Sequence, residues 1–316
     1  MGFDAVRDKK QLRIKRSKLF KNITVNWQLY IFVLPLVIYL LLFRYLPMYG
    51  IQIAFKDYKA MSGIWGSDWI GFKHFQQFFQ SYYFPTLMKN TLTITLLSFV
   101  IGFPFPILLA LLLNEIRSSV FKKTVQTVTF APHFISTVVM CGIIVIFTNP
   151  SSGILNHLLA SLGFERYNFM QDAGMFKWIY VISDVWQETG WNSIIYIAAL
   201  SSVSEELHEA ARVDGATKLQ RIIHINVPAL MPTIIILLIL RCGSILSLGY
   251  TKIYLLQNDL NLTASEVIST YVYKVGLIQA NFSFSTAVDL FNTGINAVML
   301  ILVNYISKRV GETSLW

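Results

Sequence analysis

Hydrogen-bonding, charged and aromatic side chains recur inside stretches of the sequence that are otherwise strongly apolar. Polar groups are costly in apolar surroundings, so they usually pair with one another or line a polar path. The candidates for lining such a path are Gln187, Glu188, Trp191, Asn192, Tyr196, Arg241, Tyr250, Asp289, Asn292 and Asn296. Their polar groups would hydrogen-bond a polar solute, and their rings would stack on it. The alternative is that these residues hold helices together across a bundle.

The spacing of these residues places several of them on shared helix faces. Asn292 and Asn296 are one helical turn apart, and Asp289 precedes Asn292 by three positions, so all three share a face. Arg241 is expected to face the interior of the bundle, because a charge on the lipid-facing side costs about a few kcal/mol. Asp289 and Glu188 are its two candidate counter-charges, and the sequence does not choose between them.

Composition identifies the class of protein in which these residues lie. Of 316 residues, 54% are hydrophobic and only 14% are charged, whereas soluble domains carry about 25% charged residues. The sequence therefore predicts an integral membrane protein. We attribute its net charge of +9 to cytoplasmic loops rather than to binding of nucleic acid. Cys141 and Cys242 both fall in apolar stretches and are expected to be reduced and buried.

Six segments are long and apolar enough for membrane-spanning helices, which need about 20 residues each. They run at about Leu29–Tyr49, Leu87–Leu113, Val125–Thr148, Trp178–Leu200, Ala229–Tyr250 and Phe284–Ile306. With the N-terminus inside, the internal segments hold twice as many lysines and arginines as the external ones. Because these residues favour the cytoplasmic side, both ends are predicted to be cytoplasmic. The predicted fold class is all-α, with six transmembrane helices.

The segments that flank the first span differ in character. Residues 1–27 are rich in lysine and arginine and are predicted to form a basic tail, either disordered or lying on anionic lipid, before a transmembrane domain at 28–316. The external segment Gly50–Thr86 is rich in aromatic residues, which argues against an unstructured polar loop. An interfacial helix is expected there, at about Phe72 to Gln80.

The motifs that would indicate catalysis or metal binding are absent from the sequence. It has no G-x-x-x-x-G-K-[ST] nucleotide-binding motif, no H-E-x-x-H and no CxxC, and its five histidines form no ligand set. The chain is therefore predicted to be neither an enzyme nor a metal-binding protein, and any ATP that it depends on must be hydrolysed elsewhere.

One predicted cytoplasmic loop, residues 201–228, has the pattern of a folded element. Its segment Glu209–Pro228 reads EAARVDGATKLQRIIHINVP: a helix-favouring start, a glycine that permits a bend, and a second helical run ending at a proline. This pattern resembles the signature of ABC importer permeases, with one departure, Val227, where the family commonly has leucine. In that family the segment is a coupling helix, so the resemblance implies ATPase-coupling roles for Glu209, Ala210, Ala211, Asp214, Gly215 and Pro228.

The resemblance extends over nearly the whole chain and implies partners. It indicates the permease of a type I ABC importer, in the oligosaccharide (maltose-type) branch. Such a permease pairs with a second permease in a lipid membrane, on two ATPases that carry ATP and Mg²⁺, and an extracellular solute-binding protein delivers the substrate. The ending Lys308 to Trp316 is similar to that of permeases of Gram-positive bacteria. The alternatives left open are an importer of a non-sugar solute and a secondary transporter.

Overall fold

The structure, a computed structural model, describes residues 25–311 and 314–315. The predicted basic tail lies outside the described residues except for its last three positions. Most of the described chain is helical, as predicted. A two-stranded antiparallel sheet of β1 (Lys56–Asp57) and β2 (Asp68–Trp69) interrupts the helices, with Lys56 opposite Trp69.

The helices are described here in chain order, with short 3-10 and π-helical turns assigned to the helix that they extend. They are α1 (Trp27–Leu40, extended by Leu41–Tyr45 and Leu46–Phe55), α2 (Lys73–Gln80), α3 (Tyr83–Gly102), α4 (Pro104–Asn114), α5 (Ser119–Phe130, extended by Ala131–Phe134), α6 (Thr137–Phe147), α7 (Ile154–Ser161), α8 (Ala173–Leu200), α9 (Glu205–Val213), α10 (Lys218–Arg221, extended by Ile222–Asn226), α11 (Val227–Cys242), α12 (Tyr250–Leu256), α13 (Leu262–Ser265), α14 (Ile268–Tyr273, extended by Lys274–Ile278) and α15 (Phe282–Gly311). The predicted helix at Phe72 to Gln80 is confirmed as α2.

Four described helices are long and apolar enough to cross a membrane, and a bent pair would make a fifth. The four helices are Trp27–Phe55, Tyr83–Asn114, Lys218–Cys242 and Phe282–Arg309. The predicted span at Trp178–Leu200 lies in α8, whose polar residues, among them Asp184 and Asn192, lower its hydropathy. The multi-pass membrane character is thus supported by the helices, whereas the count of six spans stays a prediction.

The predicted third span is not one straight helix. Ser119–Phe134 and Thr137–Phe147 are bent by 100° at a short break. Ser136 begins the second helix, because its side-chain oxygen accepts a hydrogen bond from the backbone nitrogen of Val139. A smaller difference concerns the fifth span, which as a helix ends at Cys242 rather than at Tyr250.

Helix α8 is the central element, since it packs against α3, α4, α5 and α11. Asp172 caps its N-terminus by accepting a hydrogen bond from the backbone of Gly174 at 2.6 Å. A hydrogen bond from the Tyr167 hydroxyl, together with this backbone bond, holds the pKa of Asp172 below its usual range. Further along α8, Gly190 lies against the backbone of α5, where a Cβ atom would sit 2.9 Å from the nitrogen of Phe130.

The segment from α12 to α14 folds back onto α3 through hydrogen bonds from buried polar side chains. The Asn90 amide donates to the carbonyls of Thr263 and Glu266, each at 2.9 Å. The Thr91 hydroxyl accepts from the backbone nitrogen of Ile268 at 3.1 Å. These two residues therefore satisfy backbone groups that the ends of the short helices leave free.

Candidate functional site

The predicted coupling segment is a helix, a tight turn and a second helix. Helix α9 ends with two hydrogen bonds, from the backbone nitrogen of Gly215 to the carbonyl of Arg212 and from that of Ala216 to the carbonyl of Ala211. This pair of bonds is the Schellman motif, which requires a left-handed residue. Gly215 supplies it with φ +79°. The four-residue separation of Ala211 and Gly215 is thus the one that this type of helix C-terminus requires.

A capping box begins the second helix immediately after this turn. The hydroxyl of Thr217 accepts from the backbone nitrogen of Gln220, and the side chain of Gln220 accepts in return from the backbone nitrogen of Thr217 at 2.8 Å. Helix α10 then continues without a break into α11, and Pro228 lies in the first turn of α11. The segment is therefore a rigid connection from the turn to a long apolar helix.

The outer face of α9 is left uncovered by the described chain. Glu209, Ala210 and Asp214 are exposed, and Ala211 is half-buried. Two larger apolar side chains accompany them, since Leu207 is 56% and Val213 is 88% exposed. An amphipathic helix with apolar side chains this exposed has the character of a surface that a partner covers.

An ion pair ties the coupling segment to the transmembrane helices. The guanidinium of Arg221, at the end of α10, lies 3.9 Å from a carboxylate oxygen of Glu115, which directly follows α4. Both side chains are largely buried, at 13% and 21% exposed. Both also line a polar cavity of about 480 Å³ between α9 and the bundle.

A second, partly open cavity lies between helices of the bundle and brings part of the predicted polar set together. Its volume is about 400 Å³, and it is bounded by the α3–α4 junction, α8 and α11. Glu188, Asn192, Tyr196 and Arg241 all line it. Asp184 and Arg241 also line a neighbouring cavity of about 140 Å³, so these two residues lie where the two cavities meet.

Each of the two carboxylates in the larger cavity has a cationic or polar partner. Asp184 Oδ1 is 3.4 Å from Nζ of Lys252, whose side chain is 8% exposed and lies over the ring of Tyr180. Glu188 Oε2 is 3.1 Å from Nδ1 of His133, which lies at the bend between α5 and α6. Among the described residues, no ion pair or hydrogen bond engages the side chain of Arg241.

This arrangement corrects two expectations. Arg241 lines the cavity between the α3–α4 junction, α8 and α11, but its two expected counter-charges are not its partners: His133 holds Glu188, and Asp289 lies outside the cavity lining. Lys252, counted from the sequence as an external residue, is buried on α12 and paired with Asp184. The predicted orientation of the chain in the membrane is unchanged, because discounting one lysine does not remove the difference in lysine and arginine count between internal and external segments.

Three further candidates make contacts that hold the fold together. The Gln187 amide donates to the carbonyl of Ile135 at 3.0 Å and thereby satisfies a backbone acceptor at the break between α5 and α6. The Trp191 ring stacks on His133 with centroids 4.4 Å apart. Tyr250 stacks on Tyr273 with centroids 4.9 Å apart. None of these three side chains is among the residues that line the cavity.

The three candidates on α15 share a face as predicted but differ in surroundings. Asn296 accepts from the backbone nitrogen of Leu246 at 2.9 Å and donates to the hydroxyl of Ser247 at 2.8 Å, so it stabilises the non-helical chain after α11. Asn292 is buried, and Asp289 is exposed in the chain alone. On this face of α15, Asn296 at least has a structural role.

Three residues at or beside the cavity were not in the set of path-lining candidates: Asp184, which the sequence marks only as a polar residue inside an apolar stretch, Lys252 and His133. Asp184 precedes Glu188 by one helical turn on a polar face of α8, and that spacing is a signal that the sequence offered. The positions of Lys252 and His133 gave no such signal, since each contacts a cavity carboxylate from a distant part of the chain.

Comparison with known proteins is consistent with this geometry. Residues 102–312 match the model of a family described as the binding-protein-dependent transport system inner membrane component. The polygalacturonan/rhamnogalacturonan transport system permease protein YteP of Bacillus subtilis (strain 168) is 43% identical over 313 residues, 99% of this chain and 97% of YteP. The arabinooligosaccharides transport system permease protein AraP of the same organism is 29% identical over 72% of this chain and 71% of AraP.

Solved structures show the same fold. A chain from a bacterial ABC transporter involved in the import of the acidic polysaccharide alginate is 42% identical, with a TM-score of 0.86 over 93% of this chain and 99% of that chain. In a second structure the alginate transporter is in complex with a periplasmic protein bound to an alginate pentasaccharide, and the TM-score is 0.87 over 94% of this chain and 100% of that chain. The expected permease fold is confirmed by these likenesses.

Proposed function

Because the chain belongs to the family of binding-protein-dependent transport system inner membrane components, we propose that it is the membrane-spanning permease of an ATP-driven oligosaccharide importer. The observation that carries this proposal is the rigid, exposed helix–turn–helix from α9 to α10. It lies at the end of a long apolar helix, and its outer face is uncovered. A separate ATPase that docked there could move α11 and, with it, Arg241 in the cavity wall.

The remaining partners follow from the same mechanism. A second, homologous permease would complete the path, and two ATPases would supply the energy from ATP with Mg²⁺. An extracellular binding protein would deliver the substrate. The relatives in Bacillus subtilis support a Gram-positive cell membrane as the location. A secondary transporter, the alternative from another class, is disfavoured because this family depends on binding proteins.

The names of the relatives support an oligosaccharide substrate rather than another solute. YteP is named for polygalacturonan and rhamnogalacturonan, AraP for arabinooligosaccharides, and the solved transporter for alginate. The cavity between α3, α8 and α11 suits such a substrate, because it combines amide, carboxylate, phenol and guanidinium groups. Hydroxyl groups of a sugar would hydrogen-bond to them.

The test is transport by the purified complex, with the coupling surface altered. The importer is assembled in proteoliposomes with its ATPase and binding protein, and oligosaccharide uptake and substrate-stimulated ATP hydrolysis are measured. Glu209→Lys should abolish both, because charge reversal at a docking interface places like charges opposite each other and costs about several kcal/mol. The variant should still reach the membrane, since Glu209 is exposed and away from the core.

Glu165→Lys is the matched control, because Glu165 is an exposed glutamate in the loop between α7 and α8. It should transport as the wild type does. Normal uptake in Glu209→Lys would remove the coupling role of α9. Uptake of a non-sugar solute alone by the wild type would replace the oligosaccharide with that solute.

A further inference from the structure

Resting on the importer function proposed above, we propose that Arg241 binds the carboxylate of a uronic acid unit and thereby selects acidic oligosaccharides during translocation. The site is the junction of the two interior cavities, which Arg241 shares with Asp184. The substrate class is an oligosaccharide built from uronates, and Arg241 is the specificity-determining residue.

The first argument is that, of the described charged residues lining this junction, Arg241 is the one without an ion-pair or hydrogen-bond partner. Lys252 lies 3.4 Å from Asp184, and His133 lies 3.1 Å from Glu188. Both carboxylates that line the larger cavity are therefore engaged. Among the described residues, none forms an ion pair or hydrogen bond with the guanidinium of Arg241, and its side chain is exposed to the cavities.

The second argument is that an unpaired arginine within a spanning helix calls for a partner. Arg241 lies in the last turn of α11, an otherwise apolar helix that includes the hydrophobic run Ile234 to Leu240. A charge in such a segment is retained where it pairs or faces a water-filled path. A carboxylate that passes through the path would provide the pairing that the described residues do not provide.

The third argument is geometrical. A guanidinium is planar, stays charged at any physiological pH, and presents paired donors that match the two oxygens of a carboxylate. A neutral sugar offers only hydroxyl groups, which the neighbouring Asn192, exposed on the same cavity, can already bind. Arg241 therefore adds little for a neutral sugar, whereas for a uronate it adds a charge-assisted contact.

The experiment compares one substrate in two charge states. Proteoliposomes that contain the complete importer and its binding protein are given a short oligogalacturonate or oligoalginate, or the methyl ester of the same oligosaccharide. Wild type, Arg241→Gln and Arg241→Lys are compared. For each substrate, uptake by the variant is divided by uptake by the wild type, so that the preference of the binding protein cancels.

Arg241→Gln should lower uptake of the acid form by about tenfold or more, the loss expected for one charge-assisted contact. Uptake of the ester should change by less than about twofold, because no charged contact is lost. Arg241→Lys should restore part of the uptake of the acid form. Arg44→Gln is the matched control, since Arg44 lies in the turn that extends α1 and does not line the cavities. Arg44→Gln should leave the uptake of both substrates unchanged.

Other outcomes overturn the proposal in distinguishable ways. An equal fall for acid and ester would show that Arg241 supports the fold or the motion of α11 rather than the carboxylate. Unchanged uptake of the acid form would show that no contact is made. A wild type that transports only neutral oligosaccharides would overturn the carboxylate site and leave the importer function intact. A wild type that transports no oligosaccharide would overturn both.

Discussion

Arg221 and Glu115 lie 3.9 Å apart and connect the coupling segment to the end of α4. Their partial burial distinguishes them from the other ion pair of this region, Arg212 with Glu205, whose side chains are 47% and 83% exposed. A pair shielded from solvent is screened less by water and salt. Arg221 and Glu115 are therefore placed to pass a displacement of α10 on to the bundle.

A double-mutant cycle tests this connection. Glu115→Gln and Arg221→Gln, singly and together, should show a coupling energy of about 0.5–3 kcal/mol in the thermal inactivation of the complex. The same cycle on Glu205 and Arg212 should give about 0–1 kcal/mol, the usual value for exposed pairs. The swap Glu115→Arg with Arg221→Glu should recover substrate-stimulated ATP hydrolysis that each reversal alone removes. Additive effects in the first cycle would show that the pair contributes nothing.

The left-handed conformation of Gly215 leads to a prediction about the turn itself. No atom lies within 4 Å of a Cβ built at this glycine, so a substitution is penalised by its backbone conformation and not by a clash within the chain. Gly215→Val should cost about 1–2 kcal/mol and release the ATPase during purification. Gly215→Asn should retain the ATPase, because asparagine tolerates this conformation. Equal retention by both variants would contradict a requirement for the left-handed turn.

Close packing of α8 on α5 makes Gly190 sensitive to even one added carbon. A Cβ atom there would lie 2.9 Å from the nitrogen of Phe130, and closer still to the carbonyl of Thr129. Backbone cannot move aside cheaply, so Gly190→Ala should destabilise the protein by about 1–3 kcal/mol or more. Gly142→Ala on α6 is the control, because apart from the adjacent residues and the helix's own backbone no atom lies within 4 Å of a Cβ built there. The check is the thermal aggregation temperature of the detergent-solubilised protein, and similar values for the two variants would refute the packing argument.

The orientation predicted from the basic residues is open to a labelling test. Single cysteines at Met61 and Glu165 should react with an impermeant thiol reagent added outside, whereas cysteines at Val120 and Lys218 should not. All four positions are exposed, and the two native cysteines are buried, which keeps the background low. Labelling of Lys218→Cys in intact cells would invert the topology and move the coupling segment away from the cytoplasm.

Local sequence was sufficient for the features that depend on near neighbours. The apolar stretches around α1, α3 with α4, α11 and α15 carry their own hydropathy, so the corresponding helices were predicted within several residues. The coupling segment was predictable for the same reason. Its helix stop at Gly215 and its restart at Thr217 use hydrogen bonds between residues no more than five positions apart. A break such as the one after Phe134 was missed, because a run of apolar residues does not reveal a turn of 100°.

The composition of the interior cavity was decided only by tertiary structure. Sequence marked Arg241 and Glu188 as interior charges, but neither of the two counter-charges that it offered for Arg241 is its partner, and it counted Lys252 as an external residue. Lys252 meets Asp184 across 68 positions and His133 meets Glu188 across 55. Helix periodicity says which residues of one helix share a face, but not which faces of different helices meet. Packing between helices decides which faces meet, and among the described residues it leaves the guanidinium of Arg241 without an ion-pair or hydrogen-bond partner where the two cavities meet.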